Sequence, residues 1–119
     1  MAKFLLLIYG DEQRWDAMSA DEMRAHDAAH VAFSAAAGSR IINGEELESP
    51  STARTLRRRR PTRSAAATDG PFMETKEVLG GYYLLEADNL EEVEALAALL
   101  PEVKADHSGV EIRPVVDHG

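Results

Sequence analysis

Near the start of the chain, Lys3-Phe4-Leu5-Leu6-Leu7-Ile8-Tyr9 presents apolar residues at both odd and even positions. Side chains alternate between the two faces of a strand. A segment apolar on both faces therefore belongs in the middle of a sheet that is covered on both sides. Leu79 to Ala87 reads as a second core strand of the same kind. Any fold for this chain has to bury two such strands from above and below, which narrows the choice sharply.

One cover is supplied by helices. Ser19-Ala20-Asp21-Glu22 is a capping-box pattern that opens a helix running to about Ala37. Gly38 suits the position just beyond its end. Met23, His26, His30, Phe33 and Ala37 recur at helical spacing and form the stripe expected to pack on the sheet. A second helix starts at Asp88-Asn89-Leu90-Glu91-Glu92, which offers two overlapping N-cap choices. Its apolar face is Leu90, Val93, Leu96, Ala97 and Leu100, and Pro101 is expected to stop it. Further strands are expected at Arg40 to Asn43 and at Val110 to Val116, with Asp117-His118-Gly119 as a frayed tail. Thr52 to Arg60 and Arg63 to Thr68 flank Pro61-Thr62 and read as a hairpin.

The order of elements predicts a single α+β domain over residues 1–119, a ferredoxin-like split βαβ fold with an inserted β-hairpin. Both helices of such a fold cover one sheet face. The other face has to be buried by something else, and sheet-to-sheet pairing in a homodimer is the simplest remedy.

Charge is unevenly spread. The net charge is −8, yet residues 54–63 hold six arginines and no acid, while the rest of the chain carries seven bases against 21 acids. An acidic body repels nucleic acid, so the basic run is read as an edge hairpin in which charge discourages unwanted pairing, and nucleic acid is not an expected partner. Cysteine is absent, which excludes disulfides, thiol nucleophiles and thiolate metal sites. No apolar run approaches the roughly 20 residues that span a bilayer, and Phe4 to Tyr9 leads into acids where a leader would place a cleavage site. The expectation is a cytoplasmic protein with no membrane partner.

Asp69-Gly70-Pro71-Phe72-Met73-Glu74-Thr75-Lys76-Glu77, followed closely by Leu79-Gly80-Gly81-Tyr82-Tyr83, gathers the chemistry. Gly70 precedes proline and is pushed toward extended backbone, and Pro71 has its φ fixed. The segment is a stiff exit that can hold Asp69 and Glu74 in set directions; the plain alternative is a tight loop with its acids in water. Glu74 and Lys76 are two apart and point the same way if extended, a pair able to orient a polar substrate or to form an ordinary surface ion pair. Gly80-Gly81 within a strand marks a bulge or a close approach. Tyr82 and Tyr83 alternate, so that one lines a pocket while the other packs.

His30 falls on the helix stripe, where partial desolvation and a partner can move its pKa through neutrality. A hydrogen-bonded packing histidine is the competing reading. His26 lies one turn earlier, and two imidazoles at this spacing can share a metal ion. With no third ligand evident, His26 is read as packing at the solvent edge and no metal is expected. Phosphate loops, dinucleotide fingerprints, nucleophile elbows and metalloprotease helices are all missing, so no cofactor is expected.

The chain resembles the DGPF-domain branch of the YCII-related proteins along nearly its whole length. The resemblance rests on Leu6 to Glu12 with Trp15, Ala29-His30 with Phe33, Asn43-Gly44-Glu45-Glu46-Leu47, the Asp69 to Glu77 string, Gly80 to Leu84, and Val110 to Pro114. It implies a dimeric α+β barrel. It also implies a histidine–aspartate active-site pair, with His30 matching the histidine and Asp69 the best candidate for the acid, where the DGPF string departs from the wider pattern. Glu45, Glu74, Lys76 and Tyr82 are assigned to substrate binding. The function expected is cofactor-independent acid–base catalysis, of isomerase or lyase type, on a small organic molecule. The alternative is a non-enzymatic ligand-binding or accessory module associated with an extracytoplasmic-function sigma factor, since relatives occur beside or fused to such factors.

Overall fold

In a computed structural model, which describes residues 1–58, the backbone of 65–69 and residues 76–119, the two doubly apolar segments pair with each other. β1 (Ala2–Asp11) runs antiparallel to β5 (Glu77–Ala87), with Leu6 opposite Tyr83 and Leu7 opposite Tyr82. β2 (Ile41–Glu46) joins the outer side of β5, and β6 (Ser108–Pro114) the outer side of β1. The sheet order is β2-β5-β1-β6, all antiparallel. This is the ferredoxin-like arrangement expected from the order of elements.

Alternation sorts β1 cleanly. Phe4, Leu6 and Ile8 are buried, whereas Leu5, Leu7 and Tyr9 are half-buried. Phe4 and Leu6 join Leu85 and Ala87 of β5 in a core closed by Phe33 and Ala37 of α2 (Ala20–Ala37) and by Val93, Ala97 and Leu100 of and just beyond α3 (Leu90–Ala97). On the second face Leu5 stands opposite Leu84 and Leu7 opposite Tyr82, and these residues stay partly open.

The helix starts follow the local code. Ser19 caps α2 in a reciprocal capping box with Glu22, and Asn89 caps α3 through the backbone N–H of Glu92. Gly38 ends α2 at φ 56°, a conformation that favours glycine. The stripe on α2 is less uniform than its spacing suggests: Phe33 and Ala37 are buried, His26 and His30 are half-buried, and Met23 is exposed. The stripe leaves the core toward its N-terminal end and enters a cavity there.

Several boundaries differ from expectation for physical reasons. A short helix α1 (Glu12–Asp16) follows β1, capped by Asp11, whose carboxylate accepts from the Gln13 N–H at 3.0 Å. Pro101 does not simply stop a helix: it opens another, α4 (Pro101–Lys104), because a first-turn proline has no N–H to lose. β6 begins at Ser108, two residues earlier than expected, and ends at Pro114. The hairpin, β3 (Arg54–Arg58) with β4 (Ala65–Asp69), forms a two-stranded sheet of its own, separate from the main sheet. Among the described residues no helix is long and apolar enough to cross a membrane.

Candidate active site

Three glycines shape one end of the helix-covered face. β5 carries an extra residue opposite Ile8 and Tyr9, which makes the bulge expected of the glycine pair. A side chain at Gly10 or Gly80 would collide with the Trp15 ring, with Cβ positions 2.3 and 2.7 Å from its carbons. The close approach at Gly80 is therefore made by the indole of α1. On Gly81 the approach is made by the β2 backbone, 2.9 Å away at Glu45 O. The result is a cavity of about 560 Å³ between the sheet, α1, the N-terminal half of α2 and α4. Trp15, His26, His30, Tyr83 and Glu102 are in its wall.

Glu102 is the side chain that organises this wall. It is 3% exposed and sits in the first turn of α4. The Ser108 hydroxyl donates to its backbone carbonyl at 2.9 Å, tying α4 to β6. Its Oε2 lies 2.8 Å from His30 Nε2 and 3.2 Å from His26 Nε2. Its Oε1 is buried and has no partner among the described residues. The other nitrogen of His30, Nδ1, is 2.7 Å from the Tyr83 hydroxyl. Tyr83 is steadied by the Phe33 ring, with centroids 4.6 Å apart.

With Glu102 ionised it can only accept, so His30 Nε2 carries a hydrogen and donates to Oε2. A neutral His30 then has its Nδ1 lone pair free to accept from the Tyr83 O–H. Burial pushes the Tyr83 phenol up from its ordinary pKa, the Glu102 charge adds to that, and a hydrogen bond with the Ser34 hydroxyl opposes it. The phenol accordingly keeps its proton at neutral pH and is available as a donor.

The sequence-assigned residues fall in different places. His30, Glu45 and Tyr82 all border the cavity, but Tyr82 and its partner Glu45 fall on the sheet face opposite that of Tyr83 and Leu6. Lys76 is exposed and absent from that wall; its Nζ lies 4.0 Å from Asp11 Oδ2. Asp69 is the last residue of β4, with its Cα paired to that of Arg54, and its side chain lies outside the described residues, as does all of Glu74. The acid that meets His30 is Glu102. His26 is half-buried beside His30, and the premise that the histidine pair lacks a third candidate ligand is overturned by the same carboxylate. The available signal was Leu100-Pro101-Glu102, a proline at the first position of a helix followed by an acid in its first turn.

The YCII-related domain matches residues 2–118. This chain belongs to the YCII-related family. No sequence among the curated proteins matches it. Among solved structures it is similar to 5-chloro-2-hydroxyhydroquinone dehydrochlorinase (TftG) from Burkholderia phenoliruptrix AC1100, in complex with 2,5-dihydroxybenzoquinone. The likeness covers 98% of this chain and 95% of that one, at a TM-score of 0.55 and 19% identity. What this YCII-related chain shares with the dehydrochlorinase at that identity is the fold.

Proposed function

We propose that this YCII-related protein is an acid–base enzyme acting on a small organic molecule, without a cofactor, by an isomerase- or lyase-type proton transfer. The observation that carries this reading is the continuous hydrogen-bonded line from the Tyr83 hydroxyl through His30 to the buried Glu102, at 2.7 and 2.8 Å. Its logic is that of a nucleophile–base–orienter triad, with a phenol at the outer position.

In the forward step Tyr83 oxygen takes a proton from the substrate as its own proton passes to His30 Nδ1. Glu102 stabilises the resulting imidazolium through the Nε2–H and fixes the ring orientation. Return of the proton to another substrate atom completes an isomerisation; return to a departing group completes an elimination. Trp15 gives the cavity an aromatic wall, which suits a flat, hydroxylated ring. The structural neighbour's name as a dehydrochlorinase, and its complex with a dihydroxybenzoquinone, support this choice of substrate class.

The test is a panel of chlorinated and unchlorinated hydroxyhydroquinones and hydroxyquinones, offered to chelator-treated protein, with binding read by thermal shift and turnover by absorbance. Turnover is expected in the wild type and a loss of about 10²–10⁴-fold in both His30→Ala and Tyr83→Phe, the usual share of a positioned acid or base. Binding without turnover in the wild type would favour a ligand-binding module and defeat the catalytic reading.

A further inference from the structure

We propose that His26, His30 and Glu102 form a binding site for one first-row divalent transition-metal ion of the Zn²⁺ type, and that filling it silences the proton relay. The silencing rests on the acid–base reading above; the cation site does not.

His26 and His30 are four apart on α2 and so project from one face, one turn from each other. Both turn Nε2 toward the same carboxylate oxygen, at 3.2 and 2.8 Å. The three ligand atoms all lie within 4.8 Å of one another. Metal–ligand bonds of about 2.0–2.2 Å at a tetrahedral centre put neighbouring ligand atoms roughly 3.3 Å apart. A small shift of three side chains is enough to admit the ion. Two imidazoles and a carboxylate are a donor set that zinc accepts, and the cavity beside them has room for a fourth ligand. The same set disfavours Mg²⁺ and Ca²⁺, which prefer oxygen alone.

Two further observations point to a cation. Glu102 is a buried carboxylate with one oxygen lacking any partner among the described residues. One hydrogen bond to the other oxygen, from His30, with the His26 ring close by, offsets that desolvation less completely than a doubly charged ion would. Independently, His30 Nδ1 is already held by the Tyr83 hydroxyl, the outer hydrogen bond that metal-bound histidines ordinarily make.

The consequence for proton transfer follows from the tautomer. An ion on Nε2 takes that lone pair, so the single hydrogen of a neutral His30 must sit on Nδ1. Nδ1 then donates to Tyr83 oxygen and can no longer receive its proton. Occupied and catalytically competent are mutually exclusive states of the same ring.

The experiment uses the full chain without a histidine tag, stripped with a chelator and titrated with zinc chloride against a competing chromophoric chelator near neutral pH. One Zn²⁺ per chain is expected, with affinity at least about tenfold weaker in His26→Ala and in Glu102→Gln. Magnesium chloride at the same concentration is expected to leave the titration unchanged. Circular dichroism checks that each variant folds; should Glu102→Gln fail that check, the half-exposed His26→Ala decides. Wild-type affinity equal to that of His26→Ala would mean adventitious surface binding and overturn the site. Nitrogen resonances of the His30 ring give a second readout: with zinc the hydrogen is expected on Nδ1, and an unchanged tautomer overturns the silencing. Neither readout needs a substrate. Failure of the catalytic reading in zinc-free protein would thus leave the titration intact.

Discussion

A methyl group added at Gly80 would lie 2.7 Å from two carbons of the Trp15 ring. No rotamer of an alanine relieves that contact, so either the indole or the β5 backbone has to move. Gly80→Ala is expected to lower stability by about 1–3 kcal/mol, the usual range for overpacking. It is also expected to change the emission of the chain's one tryptophan. Denaturation followed by fluorescence checks both; an unshifted spectrum with unchanged stability would refute the packing account. Ser19 offers a second test. Ser19→Ala removes the cap of α2 and should cost about 0.5–2 kcal/mol by chemical denaturation. The capping box also lowers the Glu22 pKa, chiefly through hydrogen bonds with the Ser19 backbone and hydroxyl. A depressed carboxyl stabilises above its unfolded pKa and loses that contribution as pH falls through the lower folded value. The gap between wild type and Ser19→Ala should therefore narrow on the acid side of that window, and a constant gap would count against it. At this scale His30 was legible because both the helix stripe and the family resemblance fall on it. Glu102 was not: the distance to His30 is 72 residues in sequence, and the pairing exists only once α4 has docked.

α4 shows why short elements escape a periodic reading. Helices of four or five residues, such as α4 and α1, complete too little of a turn pattern to display an apolar face. The long elements were legible for the opposite reason. β1 and β5 are long runs apolar on both faces, and α2 and α3 have strong capping residues before a sustained stripe. One side-chain bond ties α4 to β6, from Ser108 to the Glu102 carbonyl, and another ties it to α2, from Glu102 to His30. Ser108→Ala is expected to reduce stability by about 0.5–1.5 kcal/mol. Because it moves the backbone beneath Glu102, it should also weaken zinc binding while leaving the ligand set in place. Equal zinc affinity in wild type and Ser108→Ala would show that α4 is held in place without the Ser108 bond.

Across the whole molecule, one sheet face is sealed by helices, and the other carries Leu5, Leu7, Tyr82 and Leu84 only half-buried. We propose that a second copy of the chain covers that face. Light scattering should give about twice the chain mass of 13.0 kDa, and Leu7→Arg should return the protein to a single chain; a wild-type mass of one chain would sink the pairing. The basic run, of which Arg54, Arg57 and Arg58 lie among the described residues, belongs to a body of net charge −8. Binding to duplex DNA is expected to be no tighter than ordinary non-specific association at physiological salt, roughly 10⁻⁴–10⁻⁶ M; submicromolar, salt-sensitive binding would overturn that. The separation of the β3–β4 sheet from the main sheet has a consequence for the chain as two pieces of information. Everything before it carries His26 and His30, and everything after it carries Tyr83 and Glu102. A chain severed between β3 and β4 would leave two fragments, each with half of the reactive set and neither with a complete one. Only the zipping of β1 against β5 would restore the whole, which makes reassembly of the site a built-in reporter of whether those two strands have found each other.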